Sequence, residues 1–226
     1  EQKKELSSLL AGKETFDGFR LDLYPTDLDP ITSETINNLI ERLNLKTAFD
    51  NQIKTYSHGM KQKLVIASGN KHKIKEFNEI LTDFDIIPMK ELGFDKDIEE
   101  NGTTLLENSL IKVKTISKWL KQKGLNYPVI ADDSGLSINV LNGFPGVMTH
   151  RFLGENATDE QNREKLIKAM KNVPMSQRTG RFVSAIAVVF PDGKEFVVRG
   201  TCEGNIGFEE KGKNGFGYDS LFIVNE

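Results

Sequence analysis

The sequence predicts an α/β domain, and three observations carry that prediction. From about residue 63, short runs rich in Leu, Val and Ile alternate with longer segments of helical length. Two of the helix starts carry paired capping signals, Thr104 with Glu107 and Thr158 with Gln161. The chain has 226 residues, 38% hydrophobic and 28% charged, which suits one sizeable core with or without a small appendage.

The elements follow in order. Before residue 63 the pattern differs: a helix is expected over Thr32 to Leu43, entered from Leu28 to Pro30 and capped by Ser33 or Thr32. A polar linker then leads to Tyr56-Ser57-His58-Gly59-Met60-Lys61-Gln62-Lys63, a turn opening a helix. Lys63 to Ser68 reads as a strand, Gly69-Asn70 as a turn and Lys71 to Leu81 as a helix. Phe84 to Pro88 is a second strand, and the Thr104 cap opens a long helix to about Lys121. Val129 to Ala131 reads as a buried strand ending at a Ser-Gly turn, with Leu136 to Leu141 as its hairpin partner. Thr158 caps a helix to about Lys171. Arg181 to Phe190 and Glu195 to Gly204 are strands joined by the hairpin signal Pro191-Asp192-Gly193.

Composition narrows the functional classes. The formal net charge of -3 argues against general attraction to nucleic acid, so a polyanionic substrate requires locally placed basic groups. The single cysteine, Cys202, excludes an internal disulfide framework and fits a reducing compartment; its strand-like setting predicts a buried, inert thiol. His58, His72 and His150 are too dispersed for a zinc cage. No apolar run is long enough to span a bilayer, and the opening E-Q-K-K-E-L is not a signal peptide, so a cytoplasmic protein is expected.

Four segments suit a phosphorylated ligand. Asp132 and Asp133 follow the buried run directly, at what is expected to be a sheet edge, where a hydrated cation can bridge them to a phosphate. The alternative is an Asp-rich turn that only caps the strand. Ser68-Gly69-Asn70-Lys71-His72-Lys73 joins a strand to a helix start, where backbone N–H groups can approach an anion and Lys73 neutralise it. It is not a Walker A loop, and an ordinary βα turn with surface lysines is the competing reading. In Ile98-Glu99-Glu100-Asn101-Gly102-Thr103-Thr104, Glu100 is the choice for a metal-reaching carboxylate and Glu107 for the cap; Lys112 shares a helical face with Asn108. Finally, Gly212-Lys213-Asn214-Gly215-Phe216-Gly217-Tyr218-Asp219 sets two aromatics among glycines, either to stack on a ligand ring or as anchors of a mobile loop.

In this order the segments resemble the inosine/xanthosine triphosphate pyrophosphatase family, which clears aberrant purine nucleotides. The resemblance runs from about Lys63 to the C-terminus through S-G-N-x-x-K, E-x-G-T-x-x-x-E-N, A-D-D-S-G-L, G-F-P-G-V and G-F-G-Y-D. It implies an elongated mixed sheet flanked by helices, two lobes with a central cleft, and a homodimer. It further implies that Asp133 is the catalytic acid, activating water and contacting Mg2+, and that Glu100, with Asp132 nearby, binds the metal. By the same token Ser68, Gly69, Asn70, Lys71, His72 and Lys73 form the triphosphate loop and Lys112 adds a phosphate contact. Ser134 touches substrate, while Phe216, Gly217, Tyr218 and Asp219 hold the nucleoside.

The sequence departs from the family pattern in three places. Thr149-His150-Arg151 stands where the family usually has Ser-Ala-Arg, and Ser220 replaces the usual proline, which is expected to loosen that loop. The sequence ends at Glu226, ahead of the helix and Ser-His-Arg element with which the family reads the six-position oxygen of the base. Residues 1–62 resemble something else, the helical subdomain and signature motif of an ABC transporter ATPase, through Leu39 to Leu43 and Tyr56 to Leu64. No Walker A precedes them, since Gly12-Lys13-Glu14 lacks the loop. The expectation is a poorly packed transporter-like fragment joined to a pyrophosphatase domain over 63–226 that lacks its C-terminal end.

Overall fold

The computed structural model describes residues 62–154, 156–212 and 215–225. The helix expected at 32–43, the turn before residue 62 and the transporter-like segment up to residue 61 lie outside the described residues, as do Lys213 and Asn214.

Seven strands form one mixed sheet: β1 (Gln62–Ile66), β2 (Phe84–Pro88), β3 (Val129–Ile138), β4 (Phe144–Pro145), β5 (Thr179–Val189), β6 (Glu195–Ile206) and β7 (Phe222–Val224). Their order is β2-β1-β3-β5-β6-β7, with β4 paired to β3. β1 runs parallel to both β2 and β3, whereas every pairing from β3 through β5 and β6 to β7 is antiparallel. Helices α1 (Lys71–Ile80), α2 (Leu105–Gln122) and α3 (Asp159–Ala169) flank the sheet.

The parallel half explains its own composition. Leu64, Val65 and Ile66 are all fully buried because helices cover both faces of β1. Leu64 and Ile66 join Phe77 and Ile80 of α1, while Val65 and Ala67 join Val113, Ile116 and Leu120 of α2. Full burial of one such Leu or Ile is worth about 2 kcal/mol relative to exposure. A third apolar cluster, at the far end of the sheet, packs Leu136, Ile138, Ile206, Tyr218 and Leu221 against Leu166 of α3.

The local signals do their expected work. Both capping boxes are formed, at Thr104/Glu107 and at Thr158/Gln161. Asn70 caps α1, its Oδ1 accepting the N–H groups of His72 and Lys73. The turn Pro191-Asp192-Gly193 closes the β5–β6 hairpin, with Gly193 at φ 91°. Cys202 is buried in β6.

One expectation fails. Leu136 to Leu141 is no hairpin partner of Val129 to Ala131. β3 runs unbroken from Val129 to Ile138, paired residue for residue with β5, and only Asn139–Leu141 turns away. Gly135 is therefore not a turn residue. Its missing side chain admits the Gly146 carbonyl and the Thr149 hydroxyl, which a Cβ would strike. Arg178, which the sequence did not single out, is also buried. Its guanidinium donates to the carbonyls of Met170, Ile206 and Gly207, tying the end of α3 to the end of β6.

Candidate active site

The site arises where β3 loses a neighbour. The N–H groups of Val65 and Ala67 donate to the carbonyls of Pro128 and Ile130, and there β1 stops. β4 does not join β3 until Ser137. Between these points one margin of β3 lacks a strand, although its other margin stays paired to β5. Other groups satisfy the exposed backbone: Lys112 Nζ donates to the Asp132 carbonyl at 3.1 Å, and the Leu136 N–H donates to Thr149 Oγ1 at 2.9 Å. Asp132 and Asp133 thus lie in the interior of a long strand and beside a gap in the sheet, not at its outer edge as the sequence suggested.

Strand alternation sends the two carboxylates to opposite faces. Asp133 turns toward α2, where it accepts from Asn108 Nδ2 at 3.1 Å and Lys112 Nζ at 3.0 Å. Lys112 also pairs with Glu100 at 3.0 Å, so one ammonium joins both acids. Burial works against the Lys112 charge, but Asp133, then Glu100 and Asp132, outweigh it and hold the ammonium above its ordinary value. Gly102 sets this corner: its N–H donates to Asn108 Oδ1 at 2.8 Å, and a side chain there would strike Asn108 and Glu107. Asp132 turns toward α1 and pairs with Lys73 at 2.8 Å. Its second oxygen, Oδ1, is buried without a partner among the described residues.

Two hollows open from this margin. One, of about 770 Å³, is lined by Ser68, Gly69, Asn70, Glu100, Lys112 and Asp133. The other, of about 420 Å³, is lined by Asp132, Ser134, Phe182, Phe216, Tyr218 and Asp219 among others. Ser68 to Asn70, Lys73, Glu100, Lys112 and Asp133 are therefore brought together, as are Ser134 and Phe216 to Asp219. Lys71 is exposed and lines neither hollow. His72 also lines neither, but its ring stacks on Phe216 at 5.3 Å and 13°. The acidic trio does not assemble: no cluster of three potential metal ligands occurs among the described residues, because Asp132 faces away from Glu100 and Asp133.

The smaller hollow adds residues that the sequence did not mark. Glu76, one turn beyond Lys73 on α1, faces it; burial, then the charges of Asp132 and Asp219, push its carboxyl up. Burial also raises Asp219 and the Tyr218 phenol, whose O–H donates to the Thr149 carbonyl at 3.0 Å. Helical spacing from Lys73 was the available signal for Glu76. The departures at 149 and 220 are accommodated. Thr149 is buried and bonded to β3, and the Ser220 hydroxyl donates to Glu210 at 2.9 Å.

The donor set suits a hard divalent cation. Magnesium takes one or two protein carboxylates and completes its shell with water and phosphate oxygens, and Glu100 and Asp133 supply such a pair on one hollow. Among the described residues no helix is long and apolar enough to cross a membrane.

Comparison with known proteins shows the family. The sequence matches the Ham1 family over residues 64–226. It is 46% identical over 171 residues to the dITP/XTP pyrophosphatase of Haemophilus influenzae, covering 74% of this chain and 85% of that protein. Identity to the Bacillus subtilis dITP/XTP pyrophosphatase is 43% over 164 residues, covering 72% and 80% of the two chains. The fold superposes on the Staphylococcus aureus Ham1 protein with a TM-score of 0.62 at 42% identity, over 72% of this chain and 81% of that one. For the nucleoside-triphosphatase, or dITP/XTP pyrophosphatase, of Mycobacterium abscessus the TM-score is 0.59 at 34% identity, over 72% and 84%. With a family match over residues 64–226, 46% identity to one of these relatives and a fold that superposes on solved Ham1 proteins, the chain belongs to the Ham1 family.

Proposed function

We propose that this chain is a nucleoside triphosphate pyrophosphatase that hydrolyses aberrant purine nucleotides, inosine, deoxyinosine and xanthosine triphosphates, to the monophosphate and pyrophosphate. One observation carries the reading: Asp133, Glu100 and Lys112 are locked together on the same hollow as the Ser68–Asn70 turn. That hollow offers backbone donors and ammonium groups to phosphates and a carboxylate to water. The neighbouring hollow offers Phe216 and Tyr218 to a nucleoside.

In this reading Lys73 and Lys112 neutralise phosphate oxygens, and the start of α1 adds its positive dipole end. Glu100 and Asp133 would hold magnesium, which would supply positive charge against the developing negative charge and favour ionisation of water. Asp133 orients a water and takes its proton as the water oxygen bonds to the α phosphorus. The α–β bridge breaks, and its electron pair leaves with pyrophosphate. Asn108 fixes the Asp133 carboxylate for that transfer. Asp132 supports Lys73 instead of binding the metal.

The test is product identity. Protein incubated with inosine triphosphate and magnesium is expected to give monophosphate and pyrophosphate by chromatography. Diphosphate with orthophosphate, or no turnover, overturns the proposal. A cytoplasmic homodimer belongs to the same reading, and sedimentation at the mass of a single chain would remove the dimer from it.

A further inference from the structure

We propose that the His150 imidazole is a phosphate contact of this chain, set against the α-phosphate of the bound nucleotide. The inference rests on the proposed function and deepens it. The family pattern has alanine at this position, so the contact is a property of this sequence and not one carried over from the resemblance.

Position is the first argument. Among the described residues, only Lys73 and His150 line both hollows. A nucleotide with its base beside Phe216 and its outer phosphates beside Ser68 to Asn70 must cross between them. What crosses is the 5′ oxygen and the α-phosphate.

Presentation is the second. The backbone beneath the ring is held on both sides: the His150 carbonyl accepts from Asn162 Nδ2 at 3.2 Å and the Thr149 carbonyl from the Tyr218 hydroxyl at 3.0 Å. Asn162 is itself buried on α3, so the imidazole projects from a fixed support. No hydrogen bond occupies the ring among the described residues, which leaves an N–H donor for a ligand oxygen.

Electrostatics is the third. The charges of Lys73 on α1 and Lys112 on α2 act on the ring, opposed by those of Asp133 on β3 and Asp159 on α3. His150 is exposed toward the hollows, and the protein that displaces water from one side of it, then the Lys73 ammonium, push it below the usual histidine range. It is a neutral donor in the free protein, within the field of the Lys73 ammonium that Asp132 already pairs. A phosphate set between the ring and Lys73 receives the imidazole N–H as a charge-assisted contact.

Because cleavage leaves the α-phosphate on the monophosphate, the contact persists in that product and is absent from pyrophosphate. This separates His150 from the groups that hold the outer phosphates. The experiment is calorimetric binding of inosine monophosphate, inosine and pyrophosphate to the unaltered chain, His150→Ala and His150→Gln, with thermal melts of all three proteins. His150→Ala is expected to weaken inosine monophosphate binding about tenfold, the loss for one hydrogen bond to a charged group. Inosine and pyrophosphate should bind within twofold of the unaltered chain, and His150→Gln, which keeps a donor, should recover most of the monophosphate loss. Unchanged monophosphate binding overturns the proposal, and so does a loss shared equally by inosine, or one confined to pyrophosphate. If the melt of His150→Ala shifts markedly, the ratio of its inosine monophosphate affinity to its inosine affinity decides, because a folding defect lowers both and loss of the contact lowers only the first. Failure of the unaltered chain to convert inosine triphosphate would sink the proposed function, a different outcome from any of these.

Discussion

The two faces of β3 treat adjacent aspartates in opposite ways. Beneath α2, Asp133 is surrounded: Asn108 and Lys112 bond to it, and Glu100 reaches it through the shared ammonium. Beneath α1, among the described residues, Asp132 has one ion pair, with Lys73, and one oxygen with no partner. A carboxylate fixed on several sides is prepared to orient a water, and fixing it in advance removes reorganisation from the reaction. A carboxylate with one partner serves that partner. Two identical side chains one residue apart thus have unlike surroundings because pleating gives each a different helix.

Substitutions break or sharpen that contrast. The largest effect is expected from Asp133→Asn, which keeps the contact with Lys112 but removes the base; steady-state assays should show kcat lower by about 10³, with nucleotide affinity by calorimetry changed only a few-fold. Near-normal turnover would remove Asp133 from the chemistry. Lys112→Ala comes next. It strips the joint partner from two acids, and breaking a buried pair costs about 3 kcal/mol, which urea denaturation should register together with loss of activity. If stability is unchanged, the cluster is not held as described.

Asp132→Asn sharpens the contrast from the other side. It should raise KM through Lys73 while lowering kcat by less than about tenfold, and a loss matching that of Asp133→Asn would erase the distinction between the faces. The smallest effect concerns Cys202 at the lining of the smaller hollow. Burial, then Glu203, push its thiol up, so at neutral pH it is protonated and unreactive. Alkylation followed by mass spectrometry should be slow at pH 7, faster toward pH 9, and slower again with inosine monophosphate bound. No protection by the monophosphate would place the nucleoside elsewhere.

What was legible in the sequence was local. Thr104/Glu107 and Thr158/Gln161 announced their helices because a cap involves residues three apart. Pro191-Asp192-Gly193 announced its hairpin for the same reason. Ser134-Gly135 misled, since a glycine needed for the close approach of Gly146 and Thr149 looks the same in sequence as a glycine needed to turn. Once the strand was read as ending there, the alternation that separates Asp132 from Asp133 disappeared with it. Glu76 and His150 were harder still. Their place in the hollows depends on how α1 and the Gly146–Arg151 turn pack against a distant strand; helical spacing from Lys73 points only to the face that Glu76 shares, and no short-range pattern reports His150.

The gap beside β3 carries a further consequence. Since Asp132 and Asp133 differ only in parity along a continuous strand, a single-residue insertion between Ile130 and Ala131 would turn each acid to the other face, setting Asp132 against Lys112 and leaving Ala131 opposite Lys73. Length, no less than residue identity, is therefore constrained here.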